Sequence, residues 1–423
     1  MTPDPAAIFR DRARRHERMF WLDGGGARPW SGRRSILGFL CDDDVSLTYN
    51  AARRVVTRHR GERAEDIGVD VFDALDAEMG RDAGDPAVSW VGYFGYGCRA
   101  DLPARPAEDV PDAVWMRMRD PIVLEHPVVE ADGAGRAGRV SGGALPESPS
   151  TSYVPAGYAA AFAEVQHELH RGNTYEVNLT YREHVTSPID PVAAYLALRA
   201  LNPAPYAGYL QHHGVSLLSS SPERFATVDR GRWLETKPIK GTTPRGVTAE
   251  LDERLRERLT SDPKFRAENL MIVDLLRSDL ARVCVPGTVS VPALMQVESY
   301  ATVHQLVSTV RGRLSEDVDT VAALRSLFPA GSMTGAPKLR TMEIIDRVEA
   351  EPRGVYAGAF GWISANGRAD LGVVIRSLVA RQDGGDGWRY SLGTGGGITV
   401  RSEVETEYAE TRWKAERLHL ALS

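Results

Sequence analysis

Four glutamates, two lysines and one arginine stand where side chains of their kind do chemistry. Glu223 falls in SSSPERF, directly after an apolar run, and is a candidate acid. Lys240 falls in LETKPIKGTTPRG, between Ile239 and Gly241, where a strand gives way to a loop. Half-burial there lowers a lysine's pKa and frees a neutral amine to act as a nucleophile. Read alone, the segment fits a loop lysine in water better, and Glu223 fits a surface carboxylate paired with Arg224. Glu268, in AENLMIVDLLRSDLARV, shares a helical face with Met271, Ile272 and Leu275. A carboxylate among apolar neighbours must be paired, protonated or metal-bound. In ETEYAETRWKAE, Glu407, Glu410 and Lys414 fall on one helical face, which by itself reads as an exposed, ion-paired surface. If that face meets Glu268 across the core, three carboxylates converge, and an all-oxygen cluster suits Mg²⁺ better than Zn²⁺.

Two segments of small residues offer cradles for a carboxylate. In FPAGSMTGAPKLRTMEII, Thr334 and Gly335 run into a helix start at Pro337, where free N–H groups and the helix dipole attract anions. GTGGGI, with Gly395, Gly396 and Gly397, supplies a second, and its spacing does not fit a dinucleotide loop. Arg376, in LGVVIRSLVA, is a charge inside a strand-like apolar run. Such an arginine either clamps a carboxylate through two hydrogen bonds or faces water from an edge strand. Together these features point to a substrate with more than one carboxylate, held with Mg²⁺ beside a lysine and an acid. GxxxxGK[ST], HExxH and GxSxG are absent.

The elements that must position these groups read as hairpins first and helices later. A strand is expected at Tyr175–Val185, with Tyr175, Val177, Leu179 and Tyr181 on one face and Glu176, Asn178 and Thr180 on the other. Further strands are expected at 215–220, 224–229 and 233–239. Helices are expected at 155–172, 249–261 and 263–283, from Pro337, and from Ser402. Ser402 and Glu405 have the spacing of a capping box. The order favours an α+β sandwich over a doubly wound sheet. A Gly-, Ser- and Pro-rich stretch at 131–157 divides an N-terminal region, 1–150, from a region at 151–423 that carries the chemistry, the two packed as one unit. Lys plus Arg is 51 and Asp plus Glu is 57 in 423 residues, a net charge of −6, so no basic excess marks a nucleic-acid binder. The three cysteines lie far apart and no apolar run reaches the length of a membrane span. The first thirty residues are charged and lack the apolar core of a signal peptide, so a cytoplasmic location is expected.

The ordered set SPER, PIxGT, ENLMIVDL, TGAPK, GxGGGI and ExxETxxK resembles the chorismate-utilising enzymes, densely from Tyr175 to Lys414. SGRRSILG at 31–38 and WVGYFGYG at 90–97 extend the likeness thinly toward the N-terminus. The resemblance implies a large two-sheet sandwich of mostly antiparallel strands with helices packed outside. Lysine in PIKGT is similar to the branch that aminates chorismate at C4, where anthranilate synthases carry alanine. It implies that Lys240 attacks C2 as the C4 hydroxyl leaves, that ammonia then displaces it at C4, and that Glu223 is the general acid. It further implies Mg²⁺ held by Glu268 and Glu410, with Glu407 acting through water. Tyr356 and Arg376 match residues that bind the enolpyruvyl carboxylate. Thr334 and Gly335 match pocket-lining residues, Gly395 to Gly397 a loop closing over substrate, and Lys414 a contact near it. His304 matches a histidine that eliminates pyruvate in anthranilate synthases and here would support packing. Hydroxylating members carry a water-activating lysine where this chain has Glu176, so hydroxylation at C2 is disfavoured. WLDGGG at 21–26 lacks the serine of the tryptophan-sensing motif. The sequence shows no glutaminase segment, so ammonia is expected from a separate glutamine amidotransferase subunit. The other readings are anthranilate synthase component I, which Lys240 argues against, and an inactive chorismate-binding scaffold for a glutaminase, which has no use for the acid, lysine and carboxylates.

Overall fold

The strand Val88–Phe94 displays the logic of the architecture. Trp90 and Phe94 point into one apolar cluster and Val91 and Tyr93 into another, and all four are buried. A strand apolar on both faces must be covered on both faces. One cover is a second sheet and the other is a layer of helices.

The computed structural model describes residues 4–23, 34–126, 153–300, 303–382, 384 and 387–423. Among these, one sheet runs Gly335–Ala336, Glu176–Ser187, Trp388–Ile398, Ser377–Gln382, Val215–Ser221, Tyr206–His212, Arg18–Asp23, Arg34–Phe39 and Ile122–Glu125. The other runs Ile239–Pro244, Val303–Arg313, Trp233–Lys237, Arg224–Val228, Ala369–Val373, Ala359–Ser364, Val88–Phe94, Ala113–Arg119, Ser46–Asn50, Val55–Arg60 and Arg63–Gly68, with Ser290–Ser299 also paired to Val303–Arg313. Neighbours in both sheets are antiparallel, as in the pairing of Val88–Phe94 with Ala359–Ser364.

The sheets meet through Phe20, Leu210 and Leu217 of the first and Val91, Val114, Met116 and Phe360 of the second. Helices Pro191–Leu201 and Val404–Leu420 cover the outer face of the first sheet, burying Tyr195, Leu198, Ala415 and Leu418 against Trp21 and Tyr209. Helices Val71–Gly80, Pro263–Ala281 and Thr320–Leu327 cover the outer face of the second. The result is the expected sandwich with helices outside. Arg18–Asp23 pairs with Tyr206–His212, so strands from before and after the Gly-rich stretch share one sheet. Residues 131–152 of that stretch, 24–26 of WLDGGG and 31–33 of SGRRSILG lie outside the described residues.

Two local expectations fail. The helix Val404–Leu420 starts after Glu403 without a side-chain cap, because the Ser402 hydroxyl accepts from Thr399 N in the preceding turn, so no capping box forms. Arg376 lies in no strand: it sits at φ 51° between Ala369–Val373 and Ser377–Gln382, where the chain leaves one sheet for the other. The helix from Pro337 forms as Lys338–Val348, and helices Ala249–Ser261 and Pro263–Ala281 are separated at Asp262, which ends the first and caps the second.

Candidate active site

Two crossings between the sheets place the acid and the arginine. Glu223 lies in the two-residue break between Val215–Ser221 and Arg224–Val228, strands of different sheets, as Arg376 does in the second crossing. The crossings are laced together: Val373 N donates to Glu223 O at 2.9 Å and Ser220 N donates to Arg376 O at 3.2 Å. A non-glycine residue held at positive φ is uncommon and is tolerated where the surroundings fix it.

Around these crossings lies a cavity of about 130 Å³. Strand Ile239–Pro244 brings in Lys240, helix Pro263–Ala281 brings Glu268, and helix Val404–Leu420 brings Glu410 and Lys414. Tyr356, Arg376, Gly395 and Gly397 complete the wall with Glu223. A larger cavity of about 360 Å³ shares Tyr356 and Gly393 with it but contains none of the predicted acids or lysines. The smaller one gathers the candidate acids and lysines.

Lys240 is buried and forms an ion pair with Glu176, itself wholly buried. Burial by itself lowers the lysine's pKa, but Glu176, then Glu268 and Glu223, overcome it and hold the pKa above the ordinary value. The expectation of a depressed lysine pKa is therefore overturned: the resting amine is protonated and paired with Glu176. Gly397 makes room for this pair, since a Cβ there would lie 2.5 Å from Glu176 Oε1 and 3.3 Å from Lys240 Nζ. Burial raises Glu223 to about 7, against the pull of the Ser332 hydroxyl, which donates to Oε1 at 2.5 Å, and of Lys240 and Lys414. A carboxyl poised near neutrality suits a general acid. Burial raises Arg376's neighbour Tyr356, whose ring lies 4.6 Å from the Arg182 guanidinium, and lowers Arg376 to about 10.

Glu268 is raised to about 7, chiefly by burial, and its Oε1 has no hydrogen-bond partner among the described residues. Burial would also raise Glu410, but Lys414, 2.7 Å away, and then Lys264 hold it below the ordinary value. These two carboxylates flank the cavity and fit a hard divalent cation, which needs ionised oxygen donors. Glu407 does not join them. It is bound by Lys264 Nζ at 2.6 Å, behind the wall. Among the described residues no set of three acidic, histidine or cysteine side chains is arranged to hold a metal ion. The expected three-carboxylate convergence is thus two carboxylates and an ion pair.

Other predicted residues fall elsewhere. His304 is off the cavity wall, with Nδ1 2.7 Å from Ser299 Oγ and Nε2 3.0 Å from Asp252, tying its strand to helix Ala249–Ser261. Thr334 is off the wall too, its hydroxyl donating to Gly331 O at 3.2 Å. Gly335 packs against the Glu176 backbone, where a Cβ would come within 2.0 Å of the carbonyl oxygen. The helix start after Pro337 does not open on the cavity. GTGGGI is the end of strand Trp388–Ile398 and no loop. Strand alternation turns Gly395 and Gly397 to the cavity and Gly396 to Glu407 and Lys414. Lys414 donates to Gly395 O at 2.9 Å and so ties helix to strand. Sequence reasoning missed Ser332, for which no local signal exists. It also missed Lys264, whose position four residues before Glu268 was the available sign.

Residues 41–419 match the chorismate binding enzyme family. The chain belongs to that family. Among its relatives are proteins named aminodeoxychorismate synthase from Streptomyces pristinaespiralis, 40% identical over 98% of this chain and 63% of the relative, and from Streptomyces griseus, 43% identical over 98% and 62%. The chain thus spans less than two thirds of their length. Aminodeoxychorismate synthase component 1 of Escherichia coli K12 is 42% identical over 62% of this chain and 56% of the relative. Anthranilate synthase component I from Streptococcus pneumoniae TIGR4 shares the fold, with a TM-score of 0.73 at 24% identity over 98% of this chain and 97% of that one. So does the menaquinone-specific isochorismate synthase MenF of Escherichia coli, with a TM-score of 0.71 at 20% identity over 100% and 92%. Against this family, Lys240 with Glu176 beside it is the feature to explain.

Proposed function

We propose that this family member aminates chorismate at C4 with ammonia, giving 4-amino-4-deoxychorismate and water. The observation that carries the reading is the buried Lys240, ion-paired with Glu176 and facing Glu223 across one small cavity. Lys240 passes a proton to Glu176, and its neutral amine forms a bond to C2. The double bond shifts, and the C4 hydroxyl leaves as water with the proton of Glu223. Ammonia then bonds to C4, the double bond shifts back, and the bond from C2 to Lys240 breaks. The proton that ammonia sheds returns Glu223 to its acid form, and the lysine recovers its own from Glu176. Arg376 and Tyr356 orient a substrate carboxylate. Glu268 and Glu410 would hold Mg²⁺, which when bound neutralises substrate carboxylate charge. Ammonia comes from a glutamine amidotransferase partner, a reading supported by the relatives named component 1. The test is incubation with chorismate, Mg²⁺ and an ammonium salt, with the product identified by mass and chromatography. 4-Amino-4-deoxychorismate is expected; anthranilate, isochorismate or no turnover refutes the reading.

A further inference from the structure

Four glutamates and three lysines crowd one side of the cavity and the layer behind its wall, and the pairing among them is uneven. Glu176 is held by Lys240, Glu410 by Lys414 at 2.7 Å, and Glu407 by Lys264 at 2.6 Å. Glu268 has no partner at hydrogen-bond distance for Oε1 among the described residues; Lys264 Nζ stands 3.9 Å from that oxygen. Lys264 therefore leans on two buried carboxylates at once. Their side chains are 2% and 10% exposed, while that of Lys264 is 30% exposed, the most open of the three lysines.

We propose that the Lys264 ammonium is the resident counter-ion of this carboxylate cluster and that a divalent cation must displace it to bind at Glu268. The inference rests on the metal reading given above. A cation engaging the orphaned oxygen of Glu268 enters the space that the lysine charge now neutralises, and like charges at such range repel. Lys264 sits in the first turn of its helix on a flexible four-carbon stem, with water on its open side. Lys240 and Lys414 are tied more firmly. Lys240 is locked against Glu176, and Lys414 also donates to the Gly395 carbonyl. Once Lys264 swings out, Glu407 is released toward the metal side. The apo protein thus avoids a bare negative cluster and weakens its own hold on metal until substrate carboxylate arrives to share the cation.

The experiment measures Mg²⁺ binding calorimetrically, without chorismate, for wild type and Lys264→Gln. Removing the competing charge tightens Mg²⁺ binding by roughly tenfold. In parallel, wild-type protein is pulse-labelled with an amine-reactive anhydride in chelator or in saturating Mg²⁺, and labelling at Lys264 is read by mass spectrometry. Mg²⁺ is expected to raise Lys264 labelling several-fold; this arm does not depend on the variant folding. Equal or weaker Mg²⁺ binding by a folded Lys264→Gln, or unchanged or slower labelling in Mg²⁺, overturns the proposal while wild-type binding leaves the metal reading standing. If wild type binds no Mg²⁺ at all, the metal reading falls and this inference falls with it.

Discussion

Removing the Ser332 hydroxyl should move the pH dependence of the reaction upward without removing the acid. On the proposed mechanism Glu223 works protonated, and its pKa of about 7 then makes kcat/KM fall as pH rises through neutrality. The Ser332 hydroxyl donates to the carboxylate at 2.5 Å and so favours its ionised form, as do Lys240 and Lys414. In Ser332→Ala the charged form loses that donor and the neutral form does not suffer equally. A hydrogen bond to a charged group contributes about 1.5–3 kcal/mol. At about 1.4 kcal/mol per pH unit, the descending limb should move up by about one to two units. Glu268, also near 7 and on the same mechanism required as a carboxylate, would set a rising limb in the same region at low metal. Saturating Mg²⁺ pulls that limb to lower pH, since the metal binds the ionised form, and leaves the Glu223 limb exposed. The assay is kcat/KM for ammonia-dependent turnover from pH 6 to about 9.5, at saturating Mg²⁺, with Glu223→Gln as the inactive control. A descending limb that stays in place or moves down in Ser332→Ala refutes the assignment of Glu223 as the acid tuned by Ser332.

Lys240→Ala should lose most C4 amination through kcat, and wild type quenched in mid-reaction should carry a chorismate-derived mass on Lys240; near-wild-type kcat with the same product would show that the lysine is a mere counter-charge. Chelation should abolish turnover and Mg²⁺ restore it, measured by product formation. Glu268→Gln should raise the melting temperature of the metal-free protein at pH 8 but hardly at pH 4.5. The folded-state pKa of Glu268 is raised to about 7, so the folded form pays for ionisation as pH climbs past the ordinary glutamate value, and the glutamine does not. Gly397→Ala should cost activity far more than stability, because its Cβ would press on the Glu176–Lys240 pair, and a calorimetric melt alongside kcat separates the two.

Much of this site is legible in sequence because each acid or lysine lies in a short, recognisable segment. Strand and helix limits around Glu268 and Glu410 follow periodicity, and the structure agrees within a few residues. What sequence cannot supply is the partner. The pKa direction of Lys240 depends on Glu176, 64 residues earlier, and Glu407 is drawn off the cavity by Lys264, 143 residues away. Burial read without its counter-charge gives the wrong sign. Arg376 misleads for another reason. Apolar residues flank it on both sides, as in a strand, yet the flanking runs belong to different sheets, and local periodicity says nothing about which sheet a run joins. Thr334 and Gly335 look like a ligand cradle because small residues before a helix serve close backbone approach, and here the approach is to Glu176.

The two crossings between sheets turn the sandwich into a caliper. Glu223 and Arg376 hang from neighbouring spans whose ends are anchored in opposite jaws, so the stretch and tilt of each span follow interlayer thickness. Phe360, Leu217 and Met116, none of which lines the cavity, pack between the sheets and help to set that thickness. Trimming one of them would narrow or tilt the jaws and detune the reaction with every catalytic side chain intact. Such interior positions are dials for turnover in this architecture, and a search confined to the cavity wall would pass over them.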